Sequence, residues 1–277
     1  MPHALTDAQV QSYRDDGFLA PIDVFEAARA GGYRKRLEES EARLGGFTGD
    51  LKFKPHLYLT WLDEIVHAPE VLDPVADAIG EDILLVQLTV WIKEPHTDAY
   101  ISWHRDGTYF GLEPHEHVTA WVALSEASEE SGCVMVLPGS HKLGDLTHTV
   151  EKQAGNMLTS GQSVDVSGIE AEPVLMALRP GQMSLHHTDL LHSSRPNGSD
   201  DRRIGLGISY IPTRVRATSG VRLSATLVRG EDRFGHFDHD ARPQTDFGET
   251  EMARHAKAMA AWNEGRRVMT ERLEGAA

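Results

Sequence analysis

Two short segments carry the residues best suited to metal chemistry: Trp103-His104-Arg105-Asp106 and Leu191-His192-Ser193-Ser194-Arg195-Pro196-Asn197. The first sets an imidazole and a carboxylate two residues apart, and on an extended strand such residues point to the same face. His104 and Asp106 are therefore expected to reach one ion together, with His192 completing the set. Two imidazoles and one carboxylate on one face of an ion leave other positions open for substrate and O2, as in non-haem Fe(II) oxygenases. An arginine pair, Arg202-Arg203, follows the second segment.

Other clusters argue less. His115-Glu116-His117 lacks the i, i+4 spacing of a helical zinc site and reads as a solvated loop. His236-Phe237-Asp238-His239-Asp240 lies in a polar stretch that needs no metal. His186 would share a face with His192 if the chain between them stayed extended, and would then line the same pocket. A satisfied core histidine is the plainer alternative. Thr108 continues the alternation of His104 and Asp106 and is expected to face the pocket. Asn197-Gly198-Ser199 reads as turn chemistry.

The elements that must position these groups form a strand-rich middle between helical flanks. Thr6-x-x-Gln9 has capping-box spacing and opens a short helix ending at Asp16-Gly17. Residues 24–43 read as a second helix, weakened by Gly31-Gly32. Residues 61–79 read as two helical pieces broken near Pro69 and Pro74. Residues 83–93, 117–125, 133–138, 181–187 and 204–212 are short, β-rich and bounded by Gly or Pro. The polar stretch 144–172 reads as a long insertion of the kind that covers active sites. Residues 249–273 return to helical periodicity, with Met252, Ala256, Met259, Ala260 and Trp262 as the expected apolar stripe. Many short strands and few long helices among them favour a sandwich or barrel.

Composition narrows the partners. With 277 residues and a net charge of −15, the chain can bury a large core and repels nucleic acid and anionic membranes. Its single cysteine, Cys133, excludes an intrachain disulfide and fits a reducing, cytoplasmic setting. The first twenty residues hold no apolar signal core, and no run of about 18 apolar residues occurs. A single domain is expected, with a helical part at about 1–80, a β core at about 81–215 and a C-terminal extension at about 216–277.

The strings WHRDGTYFGL, TAWVALSEASEESGCVMVLPGSHKLG and RPGQMSLHHTDLLHSSRPNGSDDRR, with LTDAQVQSYRDDGF before them, resemble the phytanoyl-CoA dioxygenase family of Fe(II)/2-oxoglutarate oxygenases. His-x-Asp alone is common. His-x-Asp with the distal His-Ser-Ser-x-Pro-Asn and an arginine eleven residues past that histidine is specific. The resemblance implies a mostly β fold with flanking helices, built on a double-stranded β-helix (jelly-roll, cupin-like) core. It implies Fe(II) on His104, Asp106 and His192, with 2-oxoglutarate and O2 as cosubstrates. Arg203 would hold the distal carboxylate of 2-oxoglutarate through its planar fork. Ser194 would add a hydroxyl to the same carboxylate, Trp121 would wall the pocket, and Gln87 would reach cosubstrate or substrate. Relatives that chlorinate carry a small residue at the carboxylate position, so Asp106 implies hydroxylation.

The substrate is a matter of pocket chemistry. Aromatic residues near the metal motif, Tyr109 among them, and the cations Arg105 and Arg195 suit a small polar molecule such as an aminoalkylphosphonate or similar zwitterion. A natural-product or acyl intermediate is the alternative. Two other classes fit parts of the pattern. A non-catalytic small-ligand binder would not need the triad together with Arg203. A Zn hydrolase on the same ligands would leave the arginine without a task. The C-terminal helix can pack on its own domain or against a second copy in a homodimer.

Overall fold

The computed structural model describes residues 4–144, 146–159 and 161–275. Thr6 caps α1 (Asp7–Asp16): its hydroxyl accepts from the Gln9 backbone N–H, and the Gln9 side chain accepts from that of Thr6. Gly17 ends the helix at a left-handed φ of 83°. The chain then enters an unexpected strand, β1 (Phe18–Asp23). Helix α2 (Ala27–Leu44) runs unbroken through Gly31-Gly32. Both glycines face open space, while Tyr33 and Leu37 on the same helix are buried, so packing offsets the propensity cost. Pro69 starts α4 (Pro69–Ile79), just after α3 (Thr60–Val66). The second break expected at Pro74 does not occur. Val71, Leu72 and Val75 are buried on α4 and hold it together despite the lost N–H.

These helices cover one face of a seven-stranded sheet. Its order is β1, β10 (Gln182–His187), β5 (Val118–Ala123), β12 (Arg203–Pro212), β2 (Ile83–Lys93), β14 (Ser224–Arg229) and β15 (Asp238–His239). Neighbours are antiparallel except β14 and β15. A four-stranded antiparallel sheet comprises β3 (Ile101–His104), β11 (His192–Ser194), β6 (Val134–Val136) and β9 (Val174–Met176), in that order. Trp121 and Ala123 of the large sheet pack with Val136 and Met176 of the small one and with Cys133 just before β6, closing a roll. This is the mostly β, double-stranded β-helix architecture expected. Two small ribbons pair β4 (Leu112–Glu113) with β13 (Arg216–Ala217), and β7 (His148–Val150) with β8 (Gln162–Val164). The expected division at residues 80 and 215 is crossed at both ends, since β1 and β14 belong to the main sheet.

Period-two alternation decides what each face carries. On β12, Ile204, Leu206, Ile208 and Tyr210 pack toward the helices. Arg203, Gly205, Gly207 and Ser209 therefore face the roll's interior. On β5 the same rule sends Val118, Ala120 and Val122 outward and Thr119, Trp121 and Ala123 inward. On β2, Leu88 and Val90 pack on the helices, which turns Gln87, Thr89, Trp91 and Lys93 inward. Leu85 also faces the helices, because the register slips between Ser209 and Tyr210 and leaves Val86 as an extra residue. Helix α6 (Glu249–Gly275) closes the Leu84–Val86 end of the interior with Ala261 and Trp262. Its buried stripe includes His255, Ala258 and Met259. Ala256 and Ala260, expected on that stripe, face solvent. No helix among the described residues is long and apolar enough to cross a membrane.

Candidate metal centre and the pocket beside it

Strands β3 and β11 pair so that His104 lies directly opposite His192, with ring centroids 4.1 Å apart. Asp106 arrives by another route than strand alternation. The strand stops at His104, and Asp106 has helical torsions (φ −72°, ψ −42°) at the start of α5 (Gly107–Phe110). That turn still brings its Oδ1 to 3.6 Å from His104 Nε2. The candidate ligand atoms of all three residues lie within 4.8 Å of one another. Nδ1 of His104 lies 2.9 Å from the Ser102 carbonyl, and Nδ1 of His192 lies 2.9 Å from the Leu190 carbonyl. Assigned as donors there, both rings keep Nε2 as a free lone pair for a shared ion. Thr119 donates to Asp106 Oδ2 at 3.4 Å. Burial, with His104 next to it, pushes His192 down to about 4, so its ring is neutral and ready to ligate. Burial alone would raise Asp106; the adjacent His104 and the other nearby histidines outweigh that and hold it ionised. Two imidazoles and a carboxylate suit a divalent ion of the Fe(II) type.

Two further histidines stand behind the triad. His117, expected in a solvated loop, is buried. Its Nδ1 is 2.9 Å from Thr188 Oγ1 and its Nε2 3.3 Å from Thr119 Oγ1. The signal was its position at the head of an apolar strand. His186 is also buried, its ring 4.7 Å from that of His192. It does not get there by extended chain, since residues 188–190 turn. It backs His192 and does not line the cavity described below.

Across the interior, Arg203 is fully buried, and its Nε and Nη2 have no hydrogen-bond partner among the described residues. Its guanidinium lies over Trp121, 5.2 Å from the ring centroid. Gly205 makes that possible: a Cβ there would sit 1.9 Å from Trp121 Cζ2. Directly opposite Arg203 on β2 is Lys93, also fully buried, which sequence reasoning missed. Lys93 donates to Ser194 Oγ at 2.7 Å and to the Arg195 carbonyl. Burial, then the charge of Arg203, pushes Lys93 down to about 6; burial pushes Arg203 to about 10. A desolvated guanidinium with unused donors, beside an amine that a bound carboxylate would charge, makes a receptor for a carboxylate. Arg202 faces outward and pairs with Glu41 and Glu94.

A cavity of about 120 Å³ opens beside Asp106. Gln87, Thr89 and Trp91 line it from β2, Tyr109 and Phe110 from α5, and Trp262 and Arg266 from α6. Leu158, Thr159 and Gln162 of the 144–172 insertion complete the wall. Among the described residues, Gln87 Oε1, Tyr109 Oη and Gln162 Oε1 are buried without a partner. Two expected substrate contacts are corrected. Arg105 points away and donates to the carbonyls of Ser140, Leu143 and Gly144, pinning the start of the insertion. Thr108 sits in α5, where strand alternation no longer applies, and its hydroxyl lies 3.5 Å from His148 Nε2. Arg195 is exposed and pairs with Glu129.

A two-His-one-Asp centre between the sheets of a double-stranded β-helix, with a buried arginine across from it, defines the class of cupin-like non-haem metal proteins. Within that class the chain belongs to the phytanoyl-CoA dioxygenase family, whose sequence model matches residues 13–205. It is 32% identical over 157 residues to a probable alpha-ketoglutarate-dependent hypophosphite dioxygenase of Stutzerimonas stutzeri, covering 56% of this chain and 54% of that one. It is 30% identical over 162 residues to phytanoyl-CoA dioxygenase domain-containing protein 1 of Bos taurus, covering 51% and 54%. The chain thus spans about half the length of the curated relatives it matches. Among solved structures, the apo non-heme monooxygenase ThoJ superposes with a TM-score of 0.84 at 29% identity, over 95% of this chain and 99% of that one. CytC3 with Fe(II) and alpha-ketoglutarate superposes with a TM-score of 0.66 over 88% and 95%; at 21% identity it speaks for the fold.

Proposed function

We propose that the protein is an Fe(II)- and 2-oxoglutarate-dependent dioxygenase that hydroxylates an unactivated C–H of a small polar metabolite, releasing succinate and CO2. The observation that carries this is the pairing of the His104–Asp106–His192 set with a buried Arg203 that faces Lys93 and whose Nε and Nη2 have no hydrogen-bond partner among the described residues. His104, Asp106 and His192 would hold the ion, which supplies the centre where 2-oxoglutarate and O2 are activated. Arg203 and Lys93 would bind the distal carboxylate of 2-oxoglutarate, with Trp121 as the wall beneath it and Ser194 steadying Lys93. Asp106 fills the position that a halide would need, so hydroxylation is the expected outcome. Aromatic walls with unpartnered amide and hydroxyl groups suit a compact polar substrate, an aminoalkylphosphonate or similar zwitterion among them. The Stutzerimonas relative, named for action on a phosphorus oxyanion, supports the same reading. The acidic chain and its single buried thiol suit a cytoplasmic enzyme of free metabolites.

Thermal-shift titration of metal-free protein with Ni(II), with and without 2-oxoglutarate, tests the reading. The expected result is a 2-oxoglutarate shift only when metal is present, lost in His192→Ala and Arg203→Ala. Metal binding with no added effect of 2-oxoglutarate would sink it.

A further inference from the structure

Two cations guard the far side of the substrate cavity. Arg266, on α6, lines the cavity that reaches Asp106 and also a wider outer depression of about 410 Å³ that does not. Phe53, Leu158 and Thr159 line both spaces, so they and Arg266 form the waist between them. Lys52 lines the outer space, its ammonium 4.9 Å from the Phe53 ring centroid and 5.3 Å from that of Trp91. Among the described residues Lys52 has no ion pair or hydrogen bond. Among them Arg266 has one hydrogen bond, from Nη2 to Asn263 Oδ1 at 3.3 Å. Asp50 is the acidic neighbour, and its carboxylate is taken by the Asn263 amide at 3.0 Å. Both cations are half-buried, and each is held below its ordinary pKa chiefly by burial, Lys52 also by the charge of Arg266. In a chain of net charge −15, two adjacent under-paired cations at the neck of a cavity are a local reversal of sign.

We propose that Arg266 and Lys52 form an anion anchor, so that the substrate is an organic acid held by its acidic group at the waist. Carboxylate, phosphonate and sulfate share the chemistry the anchor reads, because each offers paired oxygens to a guanidinium fork. The proposal rests on the oxygenase reading for the inner end of the cavity. There the substrate's carbon skeleton packs between Trp91 and Trp262 and presents its C–H toward Asp106. The anchor replaces the role first expected of Arg105 and Arg195, both engaged elsewhere.

The test uses full-length protein loaded with Ni(II) and 2-oxoglutarate, titrated calorimetrically with hexanoate, butylphosphonate, hexyl sulfate and the neutral hexanamide. The acids bind saturably and the amide at least about tenfold more weakly. Arg266→Gln weakens the acids about ten- to a hundredfold, Arg266→Lys recovers part of the loss, and Lys52→Met weakens them several-fold. The rank order of the three acids identifies the acid group preferred. Saturable binding by none of the acids, equal binding of acid and amide, or indifference to both Arg266→Gln and Lys52→Met overturns the anchor. The loading step reports separately on the metal centre. If 2-oxoglutarate does not bind with Ni(II), the oxygenase reading fails and the anchor falls with it.

Discussion

Arg203 and Lys93 set the terms at the level of single residues. Like charges directly opposite on neighbouring strands repel, and burial adds to the cost of charging either of these two. Such a pair destabilises the empty protein and favours a bound anion. Arg203→Met should therefore raise the melting temperature of the ligand-free protein while weakening 2-oxoglutarate by about 2–5 kcal/mol. Arg203→Lys should fail to restore binding, since a point charge lacks the fork. A loss of both stability and binding would mean that Arg203 is simply core structure. Lys93 adds a pH signature. It is held to about 6, chiefly by burial and then by Arg203, whereas an unfolded lysine titrates near about 10.4. Between those values the unfolded chain binds more protons, so the Lys93 contribution makes ligand-free stability rise with pH across that window. Lys93→Met should flatten that slope in denaturation series. An incoming carboxylate favours the charged amine, so binding of 2-oxoglutarate at about pH 8 should draw a proton onto Lys93, read as a buffer-dependent binding enthalpy. Arg203 was legible through the family resemblance, which its place eleven residues past His192 supports. Lys93 was not: at the end of an apolar run it reads as a strand terminus, and only cross-strand register reveals its partner.

At the level of elements, the interior is built by alternation, and the glycines are part of it. Ile204, Leu206 and Ile208 give β12 its outer face, while Gly205 leaves room for Trp121 to lie against the strand under Arg203. Gly205→Ala would place a methyl inside the indole. It should cost about 1–3 kcal/mol in urea denaturation, alter the near-ultraviolet circular dichroism of Trp121 and weaken 2-oxoglutarate. Unchanged spectra and binding would mean that Trp121 is not a wall of that pocket. The core strands were readable because β-branched runs bounded by Gly or Pro have few other uses. Strand β1 was not, because Phe18–Asp23 carries no clear alternation and is ordered by pairing with β10. The route of Asp106 was misread for a related reason. Side-chain convergence on an ion can be met by a strand or by a helical turn, and the i, i+2 spacing does not choose between them. Pro74 kept its helix because the buried face of α4 outweighs one absent hydrogen bond.

Taken whole, the molecule carries net charge −15 yet buries Lys93 and Arg203 in its interior and keeps Lys52 and Arg266 at a cavity neck. Its long-range field repels anions, whereas these interior cations would attract them. The two effects differ in range. The surface field reaches about 30 Å at 0.01 M salt and about 8 Å at 0.15 M, whereas buried charges are screened much less. Raising salt between those limits should therefore speed 2-oxoglutarate association, opposite to the usual slowing of a steered ligand. Stopped-flow fluorescence of the Ni(II)-loaded protein can follow this, since Trp121 lies beside Arg203. Dissociation, governed by contacts inside the roll, should change little. A rate that falls with salt would mean that the cations at the cavity neck control the approach despite the acidic exterior. The effect should then invert in Lys52→Met, leaving the repulsive field of the whole chain to set the rate.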